Sequence, residues 1–396
     1  MKILIAPDKF KGTLNARDVA QSIARGLLDV LPDAQIEIVP MADGGEGTAE
    51  AICAARDSSW VECKTHDPLG REIDARYGWI DQGKLAVMEM SEAAGMRRLS
   101  ENERDPVRGN TFGVGEMILD ATKRGANEII IGLGGSATND GGFGMARCLG
   151  YRFLSIEKEL TQAVTDLQNL TKIEAPVAAG SLRQVRPLAD VSLTKSETQP
   201  ARLPLQLDII AAVDVKNPLL GINGATRVFG PQKGVTTDKI DALESALARL
   251  ADVVAEEFGF DHRNESGAGA AGGLGFGLLS FCAAKIQPGF DVVAEAVGLE
   301  RKMKDAHLVI TGEGSLDRQT LEGKTPAGVA RLARKLGKPV FAIVGRATED
   351  REVREIFDGI YQNRRHGMSE KENMKRAAEL LRENARELAE TFGVGL

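Results

Sequence analysis

The sequence predicts an α/β protein with two domains, one formed by both ends of the chain and the other inserted between them. Short apolar strands alternate with amphipathic helices over residues 1–55 and again beyond residue 306. Between these parts the pattern changes to strand-like runs with few helices, and 396 residues are long for one domain. We therefore expect residues 1–60 and 287–396 to form a parallel-sheet α/β domain, and residues 61–286 to form an inserted α/β domain with a mixed sheet.

The N-terminal residues are typical of a βαβα unit. Residues 2–6 and 35–39 are predicted strands, and Asn15 is expected to cap the helix between them. A second helix is predicted to run through Ile52. Such a unit predicts a parallel sheet with a right-handed crossover, and open sheets of this kind bind ligands at the carboxyl ends of their strands.

The middle of the chain is richer in strands. Antiparallel or mixed pairing is expected at its start, because the first strand-like runs have few helices between them. The predicted strands cover residues 60–65, 71–80, 84–90, 128–131 and 207–213. The predicted helices cover residues 115–123, 238–258 and 276–284, with a further helix that runs through Leu149. Residues 155–205 are polar with scattered prolines, which predicts peripheral loops and short helices.

The C-terminal part returns to the alternating pattern. Residues 308–310 are a predicted buried strand, and a glycine-rich turn leads from it into a helix. Thr325 is the predicted N-cap of that helix, and Pro326 is its predicted first residue. A last helix is predicted over residues 370–392. Its apolar stripe would comprise Met374, Ala378, Leu381, Ala385, Leu388 and Phe392.

Composition and charge exclude several classes of protein. A net charge of −7 argues against non-specific nucleic-acid binding, and four unclustered histidines argue against a zinc site. The four cysteines lie far apart, which indicates reduced thiols and a cytoplasmic location. We expect no export signal and no membrane partner, because no apolar run approaches the roughly 18 residues that cross a bilayer. A homo-oligomer is left open.

Glycine-rich loops resemble nucleotide-binding motifs without matching them. Residues 132–137 fit G-x-G-x-x-A, but further glycines weaken any helix that begins there. Residues 267–272 fit G-x-G-x-x-G, but no strand precedes them. Residues 323–325 resemble the end of a P-loop, yet Arg318 stands where its first glycine would be. These mismatches argue against NAD binding and favour loops whose N–H groups approach an anion.

Acids and lysines recur together after predicted strands. The groups are Asp8 with Lys9 and Lys11, Asp214 with Lys216, and Glu313 and Asp317 with Lys324. Phosphoryl transfer needs this mixture, since carboxylates hold Mg²⁺, cations spread the transferred charge and an acid takes the hydroxyl proton. Glu313 and Asp317 are candidate ligands of a divalent metal. A solvated or capping carboxylate is the alternative for any single acid, but their recurrence at strand ends favours phosphoryl transfer.

A resemblance to a known family rests on segments that span nearly the whole chain. They include APDKFKG at residues 6–12, ADGGEG at 42–47, DVKNPL at 214–219 and FGPQKG at 229–234, together with residues 132–142, 267–275 and 311–324. On these segments the sequence resembles the bacterial glycerate kinases that phosphorylate the 2-hydroxyl. Residues 363–367 depart from the family pattern, in which an apolar-Pro-Gly loop is expected.

The resemblance implies a fold and a reaction. The fold would combine a flavodoxin-like domain from both chain ends with an inserted domain that has a restriction-enzyme-like sheet. The reaction would transfer a phosphoryl group in line from MgATP to D-glycerate, in a cleft between the domains, and give 2-phosphoglycerate and ADP. A kinase for another small hydroxy acid and a two-domain anion-binding protein without chemistry are the alternatives.

The resemblance and the strand order it implies also suggest roles for the loop residues. In a flavodoxin-like order the switch point would lie between strands 2–6 and 308–310. The expected catalytic residues are Asp8, Lys9, Asp43 and Lys233, with Asp8 or Asp43 acting on the substrate hydroxyl, and Glu313 and Asp317 would hold Mg²⁺. The residues expected to bind substrate or nucleotide are Lys11, Gly134, Gly135, Ser136, Asn139, Asp214, Asn217, Gly267, Gly269, Gly272, Gly273, Gly312 and Lys324.

Overall fold

Two compact units make up the chain in the computed structural model, which describes residues 1–161, 163–176, 207–365 and 367–393. The terminal unit comprises Met1–Asp57 and Pro288–Leu396, and the middle unit comprises Ser58–Gln287.

The regular elements of the described residues alternate between strands and helices along most of the chain. The strands are β1 (Lys2–Ile5), β2 (Gln35–Ile38), β3 (Ser59–His66), β4 (Glu72–Ile80), β5 (Leu85–Glu89), β6 (Glu128–Gly132), β7 (Arg152–Leu154), β8 (Lys172–Glu174), β9 (Asp208–Val213), β10 (Lys285–Pro288), β11 (Leu308–Thr311), β12 (Ser315–Leu316), β13 (Val340–Val344), β14 (Arg346–Ala347) and β15 (Gly359–Gln362). The α-helices are α1 (Ala16–Val30), α2 (Thr48–Ala55), α3 (Ser91–Ala94), α4 (Phe112–Lys123), α5 (Phe143–Cys148), α6 (Ala225–Phe229), α7 (Thr237–Phe258), α8 (Ala270–Cys282), α9 (Gly289–Ala296), α10 (Leu299–Lys304), α11 (Thr325–Lys335), α12 (Arg351–Arg354), α13 (Glu370–Lys375) and α14 (Ala377–Gly393). Short 3₁₀ helices lie at Met96–Arg98, Glu101–Glu103, Val164–Asn169, Pro231–Lys233 and Arg318–Glu322.

A parallel sheet forms the centre of the terminal unit. Its strand order is β15-β13-β11-β1-β2, and the adjacent strands pair in parallel throughout. Counted along the chain within this unit the order is 2-1-3-4-5, the order of flavodoxin-like sheets. The predicted neighbours β1 and β11 are confirmed, with Ile5 opposite Ile310. The carboxyl ends of β1, β2 and β11 therefore meet at one edge of the sheet, on either side of the switch point.

Helices α1 and α14 cover one face of this sheet. Asn15 caps α1 as predicted, since its side chain accepts a hydrogen bond from the Asp18 backbone N–H over 2.8 Å. The apolar side of α1 packs with that of α14 against β1 and β11. Buried members of this core include Ile5, Val19, Ile23, Leu27, Ile310, Leu381 and Leu388.

The middle unit contains a mixed sheet, as predicted. Its order is β10-β9-β6-β5-β4-β3, with antiparallel pairing of β3, β4 and β5 and parallel pairing of β5, β6 and β9. The parallel strands β5 and β6 are almost entirely buried, which explains their continuous apolar sequences. The core of this unit includes Tyr77, Phe143, Phe153, Phe276 and Phe281.

The prediction of a single C-terminal helix is wrong. The helix breaks at Arg376, where the backbone leaves helical geometry between α13 and α14. Met374 and Ala378, which were expected in the apolar stripe, are exposed, whereas Ala377 and Leu380 are buried. Leu381 and Leu388 lie in the core as predicted, because both belong to the second helix.

Residues 177–206 lie outside the described part of the chain. The prediction for residues 155–205 can therefore be compared with the structure only at residues 155–161 and 163–176. The described remainder contains the 3₁₀ helix Val164–Asn169 and β8, which pairs antiparallel with β7 just before this stretch. All four cysteines are free, as expected, and three of them are buried. Within the described residues, every helix is too short or too polar to cross a membrane.

Candidate active site

Three carboxylates come together at the carboxyl edge of the parallel sheet in the terminal unit. Asp8 follows β1, Asp43 follows β2 and Glu313 follows β11. The Asp8 backbone N–H donates to the carbonyl of Gly312 over 2.8 Å, which joins the loop after β1 to the loop after β11. The predicted grouping of Asp8 with Glu313 therefore holds, and we call Asp8, Asp43 and Glu313 the acid cluster.

Asp8 is a buried carboxyl with two fixed hydrogen-bond donors. The Thr325 hydroxyl donates to its Oδ2 over 2.7 Å, and the Lys9 backbone N–H donates to its Oδ1 over 2.6 Å. The pKa of Asp8 is raised from 3.8 to about 7, mainly by burial and also by repulsion from Asp43. The charge of Lys9 and both hydrogen bonds act in the opposite direction. The carboxyl thus changes its charge near neutral pH.

Glu313 is in a similar environment. Its Oε1 accepts a hydrogen bond from the buried hydroxyl of Thr320 over 3.0 Å. The pKa of Glu313 is raised to about 8, mainly by burial and also by repulsion from Asp8 and Asp43. Lys324 and the Thr320 hydroxyl oppose it. Two acids with pKa values raised by burial at one sheet edge are typical of a functional site.

Lysines approach the acid cluster from two loops. The Lys9 ammonium donates to the backbone carbonyl of Glu46, which fixes it beside the loop that carries Asp43. Lys324 is the N-cap residue of α11 and acts electrostatically on Glu313. Lys11 is exposed. The terminal unit therefore brings cations close to the acid cluster.

The N-terminus of α11 differs from the prediction by one residue. Lys324 occupies the N-cap and Thr325 is the first helical residue, so Pro326 is the second. The Thr325 hydroxyl consequently does not cap its own helix but donates to Asp8. A role of this kind is invisible in the sequence, because the partner is 317 positions away.

The Asp43 loop depends on a glycine that the sequence analysis did not single out. A Cβ at Gly289 would lie 1.9 Å from the carbonyl oxygen of Asp43. The first turn of α9 can therefore approach this loop only because residue 289 has no side chain.

Asp317 lies in the same unit, and its backbone N–H donates to the Thr320 hydroxyl over 3.1 Å.

Asp140 organises the glycine loop of residues 132–142 in the middle unit. Its carboxylate accepts from the backbone N–H and the hydroxyl of Thr111, both over 2.8 Å, and from the N–H groups of Gly142 and Gly144. Burial raises the pKa of Asp140, although these hydrogen bonds oppose the change. Asp140 was not singled out from the sequence, and only its position after the glycines could have suggested a capping role.

Lys233 is buried against the same loop. Its ammonium donates to the carbonyl of Thr138 over 2.8 Å, and only 1% of the residue is exposed. Burial lowers the pKa of Lys233 to about 7, and attraction by Asp140 opposes this. Asn139 is also buried and donates to the Thr226 hydroxyl over 3.0 Å. Lys233 and Asn139 thus lie together in the middle unit.

Backbone packing accounts for the second glycine run. Ala271, Gly272 and Gly273 have positive φ values of 54°, 69° and 87°, and form a left-handed turn before the regular part of α8. A Cβ at Gly272 would lie 2.0 Å from the carbonyl oxygen of Thr138. The two glycine-rich loops therefore touch through their backbones, which needs glycine irrespective of any ligand.

The remaining predicted binding residues are distributed over both units. Gly134 and Gly135 are half-buried, and Ser136 is buried and forms a β-bridge with Gly95. Asp214 is exposed at the end of β9. The side-chain amide of Asn217 donates to the carbonyl of Asn223, and the backbone carbonyl of Asn217 accepts from the N–H of Gly269.

The other predicted glycines are closely packed. A Cβ on Gly267 would crowd Ile286, and one on Gly269 would crowd Pro218. A Cβ on Gly312 would crowd Ile343.

A dedicated metal cage is not formed by the described residues, since no group of three or more His, Cys, Asp or Glu side chains among them could hold a metal ion. Mg²⁺ is usually bound through one or two carboxylates, water and substrate phosphates. Glu313 follows β11 and Asp317 follows β12, and each offers carboxylate oxygens of the kind that this pattern uses.

Comparison with known proteins shows which family the chain resembles. The sequence profile of the Glycerate kinase family matches residues 3–393. The Glycerate kinase of Halalkalibacterium halodurans is 39% identical over 391 residues, which cover 98% of this chain and 97% of the relative. The Glycerate 2-kinase of Escherichia coli is 41% identical over 350 residues, which cover 88% of this chain and 86% of the relative. A crystal structure assigned to glycerate kinase 2 of Salmonella typhimurium LT2 has a TM-score of 0.83 and 38% identity, and the match covers 100% of this chain and 99% of the other.

Proposed function

Because the chain belongs to the glycerate kinase family and is therefore a kinase, we propose that it transfers a phosphoryl group from ATP to the 2-hydroxyl of D-glycerate. The products would be 2-phosphoglycerate and ADP. The name of the Escherichia coli relative, Glycerate 2-kinase, supports the choice of the 2-hydroxyl. The observation that carries the proposal is the acid cluster at the carboxyl edge of the parallel sheet, with lysines beside it.

Asp8 is the proposed general base. Its pKa of about 7 is close to neutral pH, where a base combines a useful unprotonated fraction with sufficient basicity. Asp43 is the alternative base, since it lies close enough to affect the charge of Asp8. Asp8 is the better candidate because its two donors fix the orientation of the carboxylate.

The cations around the acid cluster would compensate the negative charge of the substrates. Lys9, held by the Glu46 carbonyl, is the proposed partner of the glycerate carboxylate or of a phosphate. Lys324 and the N-terminus of α11 are also suited to an anion, because the first N–H groups of a helix lack partners within it. As the resemblance implies, Lys11 is proposed to bind substrate or nucleotide, and Lys233 is proposed to be catalytic.

Glu313 and Asp317 are the proposed Mg²⁺ ligands. Both offer carboxylate oxygens, which Mg²⁺ prefers, and the pKa of Glu313 shows that its environment penalises an uncompensated negative charge. Bound Mg²⁺ would neutralise charge on the phosphates of ATP. A cation beside Glu313 would also relieve the cost of its burial as an anion.

The middle unit would contribute the glycine loops. Gly134, Gly135 and Ser136 would present backbone N–H groups to an anion, together with Asn139 and residues 267–273. Asp214 and Asn217 would bind at the end of β9. Three further expectations stay predictions. The first is transfer in a cleft between two domains, and the second is a restriction-enzyme-like sheet in the inserted domain. The third is a cytoplasmic protein that is active alone or as a homo-oligomer.

A turnover assay tests the proposed reaction. ADP release should depend on D-glycerate, and ³¹P NMR of the product should show the 2-phosphate rather than the 3-phosphate. Lactate and L-glycerate serve as comparison acceptors, because a kinase for another small hydroxy acid would prefer one of them or a related acid. An absence of turnover with every acceptor would contradict the proposal and favour an anion-binding protein without chemistry.

A further inference from the structure

A threonine hydroxyl holds the Asp8 carboxylate from a distant part of the chain. Thr325 Oγ1 and Asp8 Oδ2 are 2.7 Å apart, and both residues are buried. An ionised carboxylate can only accept hydrogen bonds, so the threonine hydroxyl is the donor whenever Asp8 is charged. The contact joins the first residue of α11 to the loop after β1.

This hydroxyl complements a second donor on the other carboxylate oxygen. The Lys9 backbone N–H contacts Oδ1, so each oxygen of Asp8 has one fixed donor. Two donors on two oxygens restrict rotation of the carboxylate about its Cβ–Cγ bond. With Thr325 removed, the Lys9 N–H would remain as the hydrogen-bond donor to the carboxylate among the described contacts.

The charged groups around Asp8 orient its carboxylate less sharply than a hydrogen bond does, because a hydrogen bond weakens steeply away from its preferred angle. They are Lys9 on the same loop, Asp43 after β2 and Glu313 after β11. Asp43 and Glu313 repel the carboxylate. Among the described contacts of Asp8, the Thr325 hydroxyl is the side-chain hydrogen bond.

We propose that Thr325 is a positioning residue for phosphoryl transfer, which orients the Asp8 carboxylate toward the substrate hydroxyl without contacting the substrate. The inference rests on the proposed function, because it requires Asp8 to be the general base. A positioned base contributes roughly 10²- to 10⁴-fold to a rate, and a base that samples several orientations loses part of this.

The first experiment compares Thr325→Val with Thr325→Ser in the full-length protein. The valine variant keeps the shape but has no donor, so its kcat for D-glycerate should fall about 10-fold or more while KM changes by less than about 3-fold. The serine variant should restore most of kcat, because it returns the hydroxyl.

Thr311→Val is the matched control. The Thr311 hydroxyl is buried in the same unit and donates over 2.8 Å to a backbone carbonyl, that of Ala6. Its loss should lower Tm but keep kcat within about 3-fold, since no carboxylate loses a donor. A Thr325→Val enzyme that is folded and has the wild-type kcat would overturn the inference alone. A wild-type protein that does not phosphorylate D-glycerate would instead refute the proposed function.

A double-mutant cycle tests the contact without any need for activity. Urea midpoints would be measured for Thr325→Val, Asp8→Ala and the double variant. The valine substitution should shift the midpoint less in the Asp8→Ala background, where the acceptor is already missing. Equal shifts in both backgrounds would show that the hydroxyl does not hold Asp8, and would overturn the inference. Thr325→Ala replaces the valine variant in both experiments if the latter does not fold.

Discussion

At the scale of single residues, Asp8 shows how burial prepares a carboxyl group for proton transfer. Removing water from around the group disfavours the anion, and the neighbouring Asp43 disfavours it further. Thr325 and Lys9 restore part of the lost stabilisation through hydrogen bonds and charge. The balance holds the pKa of Asp8 near 7, which is where a base for a hydroxyl proton is useful at neutral pH.

Replacing Asp8 by asparagine should cut kcat by about 10²-fold or more, because the amide cannot take a proton. Steady-state kinetics with D-glycerate and MgATP measure the effect. Asp18→Asn, an exposed aspartate in α1, is the matched control and should retain wild-type turnover. Near-normal turnover of a folded Asp8→Asn variant would remove Asp8 from the role of base and favour Asp43.

The same substitution should change how stability depends on pH. Because the folded-state pKa of Asp8 is raised from 3.8 to about 7, the folded protein binds the proton more strongly than the unfolded chain. This contribution is fully present below pH 3.8 and is lost as pH rises through about 7. The free energy of unfolding of Asp8→Asn should therefore increase relative to that of the wild type between about pH 4 and pH 7.

Urea unfolding at pH 5 and pH 8 checks this difference. Glu313 and Asp140 remain in both proteins, so their own titration largely cancels in the comparison. A gap between the two proteins that is the same at both pH values would contradict a raised pKa for Asp8.

At the scale of secondary-structure elements, the pair of α1 and α14 shows how closely two helices can approach at a glycine. A Cβ at Gly26 would lie 2.2 Å from the backbone oxygen of Arg382 and 2.8 Å from the Cβ of Ala385. Arg382 also forms a two-point ion pair with Asp29 over 2.7 Å, although exposed pairs of this kind contribute little. The close approach is therefore maintained mainly by packing.

Gly26→Ala distinguishes helix propensity from packing. Propensity alone predicts a gain of about 1 kcal/mol for alanine in a helix interior. Overpacking against the backbone of α14 predicts a loss of about 1–3 kcal/mol, and with no flexible atom to move we expect the loss to dominate. Thermal or urea unfolding of the variant and the wild type measures the sign of the change in stability.

Arg25→Ala, one position earlier on the exposed side of α1, is the matched control and should change stability by less than about 0.5 kcal/mol. A Gly26→Ala protein more stable than the wild type would mean that α14 does not pack against α1 as closely as described.

At the scale of the whole molecule, substrate binding should be visible as stabilisation. A ligand that binds only the folded protein raises its stability by RT ln(1 + [L]/Kd). MgATP should therefore raise Tm, and EDTA should remove the metal-dependent part of the increase. Thermal scans with ATP alone and with MgATP measure this part directly.

Glu313→Gln should reduce the Mg²⁺-dependent increase in Tm, because a proposed carboxylate ligand has been replaced by an amide. Glu390→Gln, on the exposed side of α14, should behave like the wild type. An unchanged response of Glu313→Gln to Mg²⁺ would show that the metal binds elsewhere.

Local patterns were sufficient to predict most of the elements. Buried strands such as β1, β6 and β11 are short apolar runs, and the Asn15 cap is a contact over three residues. The family resemblance implied the strand order of the terminal sheet, and with it the meeting of the Asp8 and Glu313 loops. The break at Arg376 was missed, because the apolar spacing continues through it.

The sequence by itself therefore determined the α/β class, the order of the elements and which acids end up at one sheet edge, since each depends on neighbours within a few positions and on general rules of chain connection. The tertiary structure alone decided the partners of those acids and the purpose of several glycines. Thr325 meets Asp8 across 317 positions, and Gly26, Gly272 and Gly289 are needed where distant backbones touch. Such contacts depend on how packed surfaces fit, and no local pattern encodes that fit.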